Sequence, residues 1–425
     1  MRLFYSAMWW LALPLVLIRL WLRGRREPGY RQHWRERLGF YGAPCGSALA
    51  PVIWVHAVSV GETRAAEPLI DALMAIYPDS RIILTHMTPT GRATGQALFA
   101  KHRARLVQCY LPYDTGTMVR RFLRHFAPRI CILMETEVWP NLIDQCRRHG
   151  VPVALVNARL SQRSLAKALR LGRLMLDAAR AISLVAAQTE ADAERVRALG
   201  VRNVAVTGSI KFDVVVPGAA LAVGARLQQQ IGQRPVLLCA STREGEEELI
   251  LDAFQRAAHL PANVLLVIVP RHPQRFDGVA ALVAARGLGL IRRSQLARER
   301  DAVPAKVSVL LGDSMGEMFA YYALCDCAFI GGSLLPLGGQ NLIEPCALGK
   351  PVLIGPHTFN FAQVSEEAVA AGAARLTPDA DAVMREAGQL LADGVQRALM
   401  GQQALGFANQ HRGATRRTLA LLPPL

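Results

Sequence analysis

Glu62 stands where open α/β folds do chemistry. It closes the run Val52-Ile-Trp-Val-His-Ala-Val-Ser-Val-Gly-Glu62, an apolar strand pattern that breaks at Ser59–Gly61 and resumes with helical spacing through Leu69 and Leu73. A strand feeding a helix through small residues presents its loop at the carboxyl end of the strand, where such sheets place ligands. A glutamate in a first helical turn also complements the helix dipole, so local pattern alone leaves both roles open. His56, earlier in the run, reads as a hydrogen-bonded structural histidine.

The second half of the chain is denser in such residues. Ser241-Thr-Arg-Glu-Gly-Glu-Glu247 follows a strand and opens a helix, so hydroxyls and N–H groups there could receive a phosphate or simply cap the helix. Arg271 is held between Pro270 and Pro273 at the end of the next strand, a rigid cationic corner. Gly312–Glu317 is a further strand-to-helix turn. Gly331-Gly332-Ser333 is followed by Gly338-Gly339-Gln340-Asn341 and Glu344-Pro345, and Gly355-Pro-His357 precedes Asn360-Phe361. Paired glycines let backbone approach a ligand, Asn341 can begin a helix whose N–H groups face an anion, and Glu344 can accept from a ribose diol. Polar loops at several strand ends in one domain point to a nucleotide site. No GxxxxGK[ST] occurs, which excludes a P-loop ATPase.

The elements that must position these residues form two series. Strand patterns at Val52–Val55, Arg81–Thr85, Arg105–Tyr110, Ile130–Met134, Val153–Asn157, Leu184–Ala187 and Val204–Val206 alternate with amphipathic helices. A second series has strands at Pro235–Ala240, Asn263–Val269, Gly289–Ile291, Val307–Leu311, Cys327–Ile330 and Pro351–Ile354, with helices over Glu244–Ala257, Pro273–Arg286, Met315–Ala323 and Asn341–Leu348. The expected organisation is an anchor over residues 1–24, a Rossmann-like domain over 25–213, a linker and first helix over 214–234, and a second Rossmann-like domain with C-terminal helices over 235–425, the two domains facing a cleft.

Charge and hydropathy narrow the partners. A net charge of +16 over 425 residues calls for an acidic partner. Leu3–Ile18 is apolar apart from Ser6, and with Leu20-Trp21-Leu22 it approaches the ~20 residues that cross a bilayer. Arg23, Arg25, Arg26, Arg31, Arg35 and Arg37 follow, which by the positive-inside rule keeps the rest cytoplasmic. A secretory signal peptide is the competing reading, but no small-x-small cleavage site follows. Arg163, Lys167, Arg170 and Arg173 read as one helical face, either solvated or meeting acceptor phosphates or lipid headgroups. Trp139 reads as core or cleft wall. The eight cysteines show no CxxC or Cys/His ligand spacing, so neither a zinc site nor a disulfide framework is expected.

At these residues the chain resembles the 3-deoxy-D-manno-oct-2-ulosonic acid (Kdo) transferases of lipopolysaccharide synthesis, which have the GT-B glycosyltransferase architecture. The resemblance covers nearly the whole chain and rests on His56–Glu62, Met87-Thr-Pro-Thr-Gly91, Met134-Glu-Thr-Glu-Val-Trp-Pro-Asn141, Asn157-Ala-Arg-Leu-Ser161, Gly208–Asp213, Pro270-Arg-His272, Gly312–Glu317, Gly331–Pro345 and Gly355–Phe361. It implies that Glu62 is a catalytic base, that Glu135 and Lys211 stabilise the transition state, and that Pro270, Arg271, Met315, Gly316, Glu317, Asn341, Leu342, Ile343 and Glu344 contact the CMP part of a CMP-Kdo donor. The implied acceptor is a lipid A precursor at the cytoplasmic face of the inner membrane, which accounts for anchor and charge together.

The implied chemistry suits the residues. A sugar hydroxyl needs a carboxylate to take its proton as it attacks. CMP leaves as an anion that cationic or N–H groups can stabilise, so no metal or other cofactor is expected. Direct attack inverts the anomeric centre, although Glu135 leaves a second carboxylate in place. The alternatives are another membrane-associated GT-B transferase with a different nucleotide sugar, or a non-catalytic binder of anionic lipid. Nucleic acid is not expected, because an electrostatic binder needs no glycine-rich nucleotide cleft.

Overall fold

The computed structural model describes residues 1–25, 27–42, 50–296 and 301–424; Arg26 of the basic cluster lies outside them. The chain divides into two units, one of Met1–Asp213 with the tail from Arg412 on, the other Val214–His411.

The first unit holds a parallel sheet of β1 (Val52–His56), β2 (Arg81–His86), β3 (Leu106–Tyr110), β4 (Ile130–Met134), β5 (Val153–Ala158), β6 (Leu184–Ala187) and β7 (Val204–Val206). Its order is β3-β2-β1-β4-β5-β6-β7. Alternate residues supply two cores. Ile53, Val55, Ile82, Leu84, Ile130 and Ile132 face one helical layer, whereas Trp54, Ile83, Cys131 and Leu133 face the other. Burial on both faces is why these strands read as continuous apolar runs. The order reverses between β1 and β4, so the loops after these strands flank a switch point, the usual ligand crevice of such sheets.

The second unit repeats the plan with β8 (Val236–Thr242), β9 (Leu265–Pro270), β10 (Leu290–Arg292), β11 (Val309–Leu311), β12 (Cys327–Ile330), β13 (Val352–Ile354) and β14 (Ala374–Leu376). These are ordered β10-β11-β9-β8-β12-β13-β14, all parallel, with the switch point between β8 and β12. The expected α/β class and paired Rossmann-like sheets are therefore present. β14 was not expected, since three residues, Ala374-Arg-Leu376, are too few to show a strand period; pairing to β13 makes it a strand.

Four expectations are corrected. The helical pattern after Glu62 is two helices, Val60–Ala65 and Glu67–Ile76, because Pro68 starts a new first turn. The helix expected from Asn341 begins at Ile343, and the one expected from Met315 begins at Met318 after Gly316 turns at φ 83°. The tail expected in the second domain packs on the first unit instead: Asp213 accepts the N–H groups of Gly413 and Thr415, and Arg417 donates to the Thr207 carbonyl at 2.8 Å.

The N-terminal helix Arg2–Arg23 is the one described helix long and apolar enough to cross a membrane. One stripe docks lengthwise on the first unit. Arg2 pairs with Asp144, Tyr5 donates to Asp114 at 2.9 Å, Ser6 donates to Asn141 at 3.1 Å, and Trp9 stacks on Tyr113 at 5.7 Å. Leu13, Val16, Leu17 and Leu20 continue the stripe against Tyr30 and Met118. The other stripe, including Leu3, Phe4, Leu11, Leu15, Ile18 and Trp21, is exposed.

Candidate active site

In the first unit the switch point gathers carboxylates. Ser59 caps the short helix Val60–Ala65, and its hydroxyl donates to Glu62 Oε1 at 3.0 Å while the Val58 N–H donates to Oε2 at 2.8 Å. Gly91 allows the second loop to support the first: a Cβ there would lie 3.2 Å from the Val58 carbonyl, which Thr88 Oγ1 also reaches at 3.2 Å. Burial raises the Glu62 pKa from 4.5 to about 7. The Val58 N–H opposes the rise, Glu137 and Glu135 add to it, and Ser59 opposes it. The carboxylate is thus poised between its two states near neutrality, as a general base requires.

Glu135 follows β4 with φ 58°, is buried, and pairs through Oε1 with Lys211 Nζ at 2.8 Å. Lys211 rides on the 3-10 turn Ile210–Phe212, whose first N–H is accepted by Asn157 Oδ1 at 3.1 Å. Asn157, also left-handed at φ 53°, therefore holds the turn that carries the lysine. The third carboxylate, Glu137, accepts from Trp139 Nε1 at 2.8 Å, and burial raises its pKa. Glu137 and the positioning role of Asn157 were missed; both residues lie within the quoted motifs, but only the fold turns them toward this point.

His56 is buried, its Nδ1 lies 2.8 Å from Thr85 Oγ1, and burial lowers its pKa to about 3, which keeps it neutral and structural. Trp139 is half-buried against the core. Arg163, Lys167 and Arg170 share the helix Gln162–Arg170, but Arg173 starts a separate helix after Gly172. All are exposed, beside Leu169 and Leu171, which are 47% and 46% exposed.

In the second unit the loops after β8, β9, β11, β12 and β13 share one edge because the strands are parallel. The Arg271 N–H binds the Thr242 carbonyl at 2.9 Å, which fixes the cationic corner beside the end of β8. Burial, then Arg243 and Arg271, lower the His272 pKa, so the corner holds more than one cation. In the β11 loop Met315 is exposed and Gly316 left-handed, whereas Glu317 accepts from Ser314 Oγ at 2.7 Å and from Arg293 Nη2 at 3.1 Å. Asn341 Oδ1 accepts the Ile343 N–H at 3.0 Å, and its Nδ2 donates to Glu344 Oε1 at 3.1 Å. Leu342 and Ile343 bury their side chains, leaving only backbone for a ligand. Pro270 is buried at the end of β9.

An apolar cavity of about 630 Å³ lies elsewhere, lined by Leu73, Ile76, Ile130, Leu419 and Leu422. Ile130 starts β4, so the cavity sits at the end of that strand opposite Glu135. Among the described residues no cluster of His, Cys, Asp or Glu is arranged to hold a metal ion, and the described cysteines are buried and unpaired.

The family described as 3-Deoxy-D-manno-octulosonic-acid transferase (kdotransferase) matches residues 32–214. The chain is 47% identical over 415 residues to a 3-deoxy-D-manno-octulosonic acid transferase of Bordetella pertussis, covering 96% of each chain. It is 38% identical over 428 residues to one of Haemophilus influenzae, covering 100% of this chain and 98% of that one. A glycosyltransferase from Rickettsia africae superposes with a TM-score of 0.59 at 12% identity, over 88% of this chain and 98% of that one. A UDP-GlcNAc 2-epimerase from Neisseria meningitidis superposes at 0.58 and 17%, over 87% and 99%. At those identities the two structures speak to fold alone.

Proposed function

Because this chain belongs to the 3-deoxy-D-manno-octulosonic acid transferase family, we propose that it transfers Kdo from CMP-Kdo to a lipid A precursor in lipopolysaccharide inner-core synthesis. The observation that carries the mechanism is Glu62, held by the Val58 N–H and the Ser59 hydroxyl at the switch point of its sheet, with its pKa raised to about 7.

An acceptor hydroxyl gives its proton to Glu62 while its oxygen bonds to the anomeric carbon of Kdo. The bond to the CMP phosphate oxygen breaks in the same displacement, and CMP leaves as an anion that takes no proton. Attack from the face opposite CMP inverts the centre. Lys211, oriented by Glu135 and by the Asn157-held turn, supplies positive charge for the donor carboxylate or the departing phosphate. In the second unit Arg271 meets the phosphate, Glu344 the ribose, and Met315–Glu317 with Asn341–Ile343 complete the CMP contacts. Glu317 acts from an ion pair with Arg293.

The same reading puts the protein on the cytoplasmic face of the inner membrane. The exposed stripe of Arg2–Arg23 supports a membrane contact, and arginines 25 and 31 over the Trp21 ring suit the headgroup level. Lengthwise docking of the opposite stripe supports a helix lying in one leaflet, because crossing would break the contacts of Arg2, Tyr5 and Ser6. Mass spectrometry of a lipid A precursor incubated with CMP-Kdo and the purified protein tests the proposal. A product heavier by Kdo is expected, and an unchanged acceptor with the folded protein would refute it.

A further inference from the structure

Glu246 is fully buried at the start of the helix Glu246–Arg256. A carboxylate removed from water requires charge or hydrogen-bond donors around it, and here the donors come from backbone. Its Oε2 accepts the N–H groups of Arg243 at 2.9 Å and Gly332 at 2.6 Å, and its Oε1 accepts that of Leu334 at 2.9 Å. Converging N–H groups in a glycine turn make a nest that ordinarily receives an anion. In this chain the nest is filled by the protein's own side chain.

The turn it grips is tied on both sides. A Cβ on Gly331 would lie 2.6 Å from Thr242 Cα, so the turn after β12 presses on the end of β8. Ser333 Oγ accepts the Gly355 N–H at 2.8 Å, and the Ser333 carbonyl accepts the His357 N–H at 2.9 Å, which joins the loop after β13. One carboxylate thus links the two loops that flank the switch point, and through Ser333 a third.

We propose that Glu246 is the positioning residue of the donor site: it occupies the nest of the Gly331–Leu334 turn as a built-in anion, sets that turn before any ligand arrives, and leaves the donor phosphate to the Arg271 corner. The Gly332 and Leu334 N–H groups are therefore committed to Glu246 and do not bind the phosphate. This inference rests on the donor-site reading of the second unit.

Two measurements on the full-length protein test it. Hydrogen exchange followed by mass spectrometry over residues 331–335 is expected to be slow without ligand and to change little when CMP is added. Fast exchange that slows with CMP would mean that the turn binds the nucleotide directly, and would overturn the proposal without any variant. The second measurement is Glu246→Gln, which keeps one acceptor oxygen and turns an amide toward an N–H group. Its KM for CMP-Kdo is expected to rise at least ~10-fold through loss of a charge-assisted hydrogen bond, with acceptor KM and kcat at saturating donor within ~3-fold of the parent. A folded variant with lower thermal stability but unchanged donor KM would reduce Glu246 to a structural residue. Failure of the parent protein to bind CMP by calorimetry would instead overturn the donor-site reading, a result distinct from CMP binding that Glu246→Gln leaves intact.

Discussion

Glu62→Gln separates catalysis from architecture, because the two roles of Glu62 predict opposite balances of activity and stability. Glutamine can keep both contacts: its oxygen takes the Val58 N–H, and its amide donates to Ser59 Oγ, reversing the bond that the hydroxyl now donates to Oε1 at 3.0 Å. What is lost is the ability to take a proton, so turnover under saturating donor is expected to fall about 10²–10⁴-fold with CMP affinity unchanged. The pKa of Glu62 rises from 4.5 to about 7 on folding, mainly through burial. Between those values the folded state holds a proton that the unfolded state has released, so stability falls as pH rises through the window and the loss is complete above about 7. At about 1.4 kcal/mol per pH unit the loss is roughly 3 kcal/mol. Glutamine escapes it but gives up about 1 kcal/mol of hydrogen bonding to the Val58 N–H. The variant should therefore be about 2 kcal/mol more stable than the parent at pH 8, or roughly 4–8 °C in thermal midpoint, with the gain gone by pH 4.5. Transfer by the parent should drop on acidification below about pH 7 as one group. Kdo transfer at a near-parent rate by the folded variant, or a stability difference independent of pH, would refute the reasoning.

Arg271→Ala and Glu344→Ala are each expected to weaken CMP binding by about 1–3 kcal/mol, measured by calorimetry, with acceptor KM unchanged. Lys211→Met strands the buried Glu135 carboxylate and should lower turnover together with about 1–3 kcal/mol of unfolding free energy, measured by denaturant unfolding. Asn157→Ala should reproduce the turnover defect more mildly by freeing the turn that carries Lys211, and equal activity would remove its positioning role. Replacing Leu11, Leu15 and Ile18 with serine should cut vesicle binding at least ~100-fold while activity on detergent-dispersed acceptor persists, since each buried leucine or isoleucine contributes about 1.5–3 kcal/mol. Unaltered vesicle binding would place the membrane contact elsewhere.

Strand-end loops were legible wherever a strand pattern ran into small residues. Glu62, Arg271 and the Gly331–Glu344 stretch could be marked in advance because a buried parallel strand is a continuous apolar run, and its end is where the run stops. Glu246 escaped notice because acids are the ordinary composition of a first helical turn; that it alone turns inward to three N–H groups depends on β12 lying beside β8. Asn157 and Glu137 lie within the same motifs, but the groups they act on, the Ile210 N–H and Glu62, are tens of residues away.

The amino-acid sequence by itself determined the class of fold, the number of strand–helix units to within one edge strand, and the polar loops at the strand ends, because hydrophobic period and turn chemistry are local properties of the chain. Tertiary structure alone decided which loops became neighbours. Strand order placed the β1 and β4 loops side by side, which brought Glu135 and Glu137 close enough to Glu62 to add to the rise in its proton affinity. It also returned the tail to the first unit through Asp213, and laid the apolar helix lengthwise so that only one stripe remains exposed. Pairing partners and solvent exposure arise from contacts between distant segments, and no window along the chain contains them.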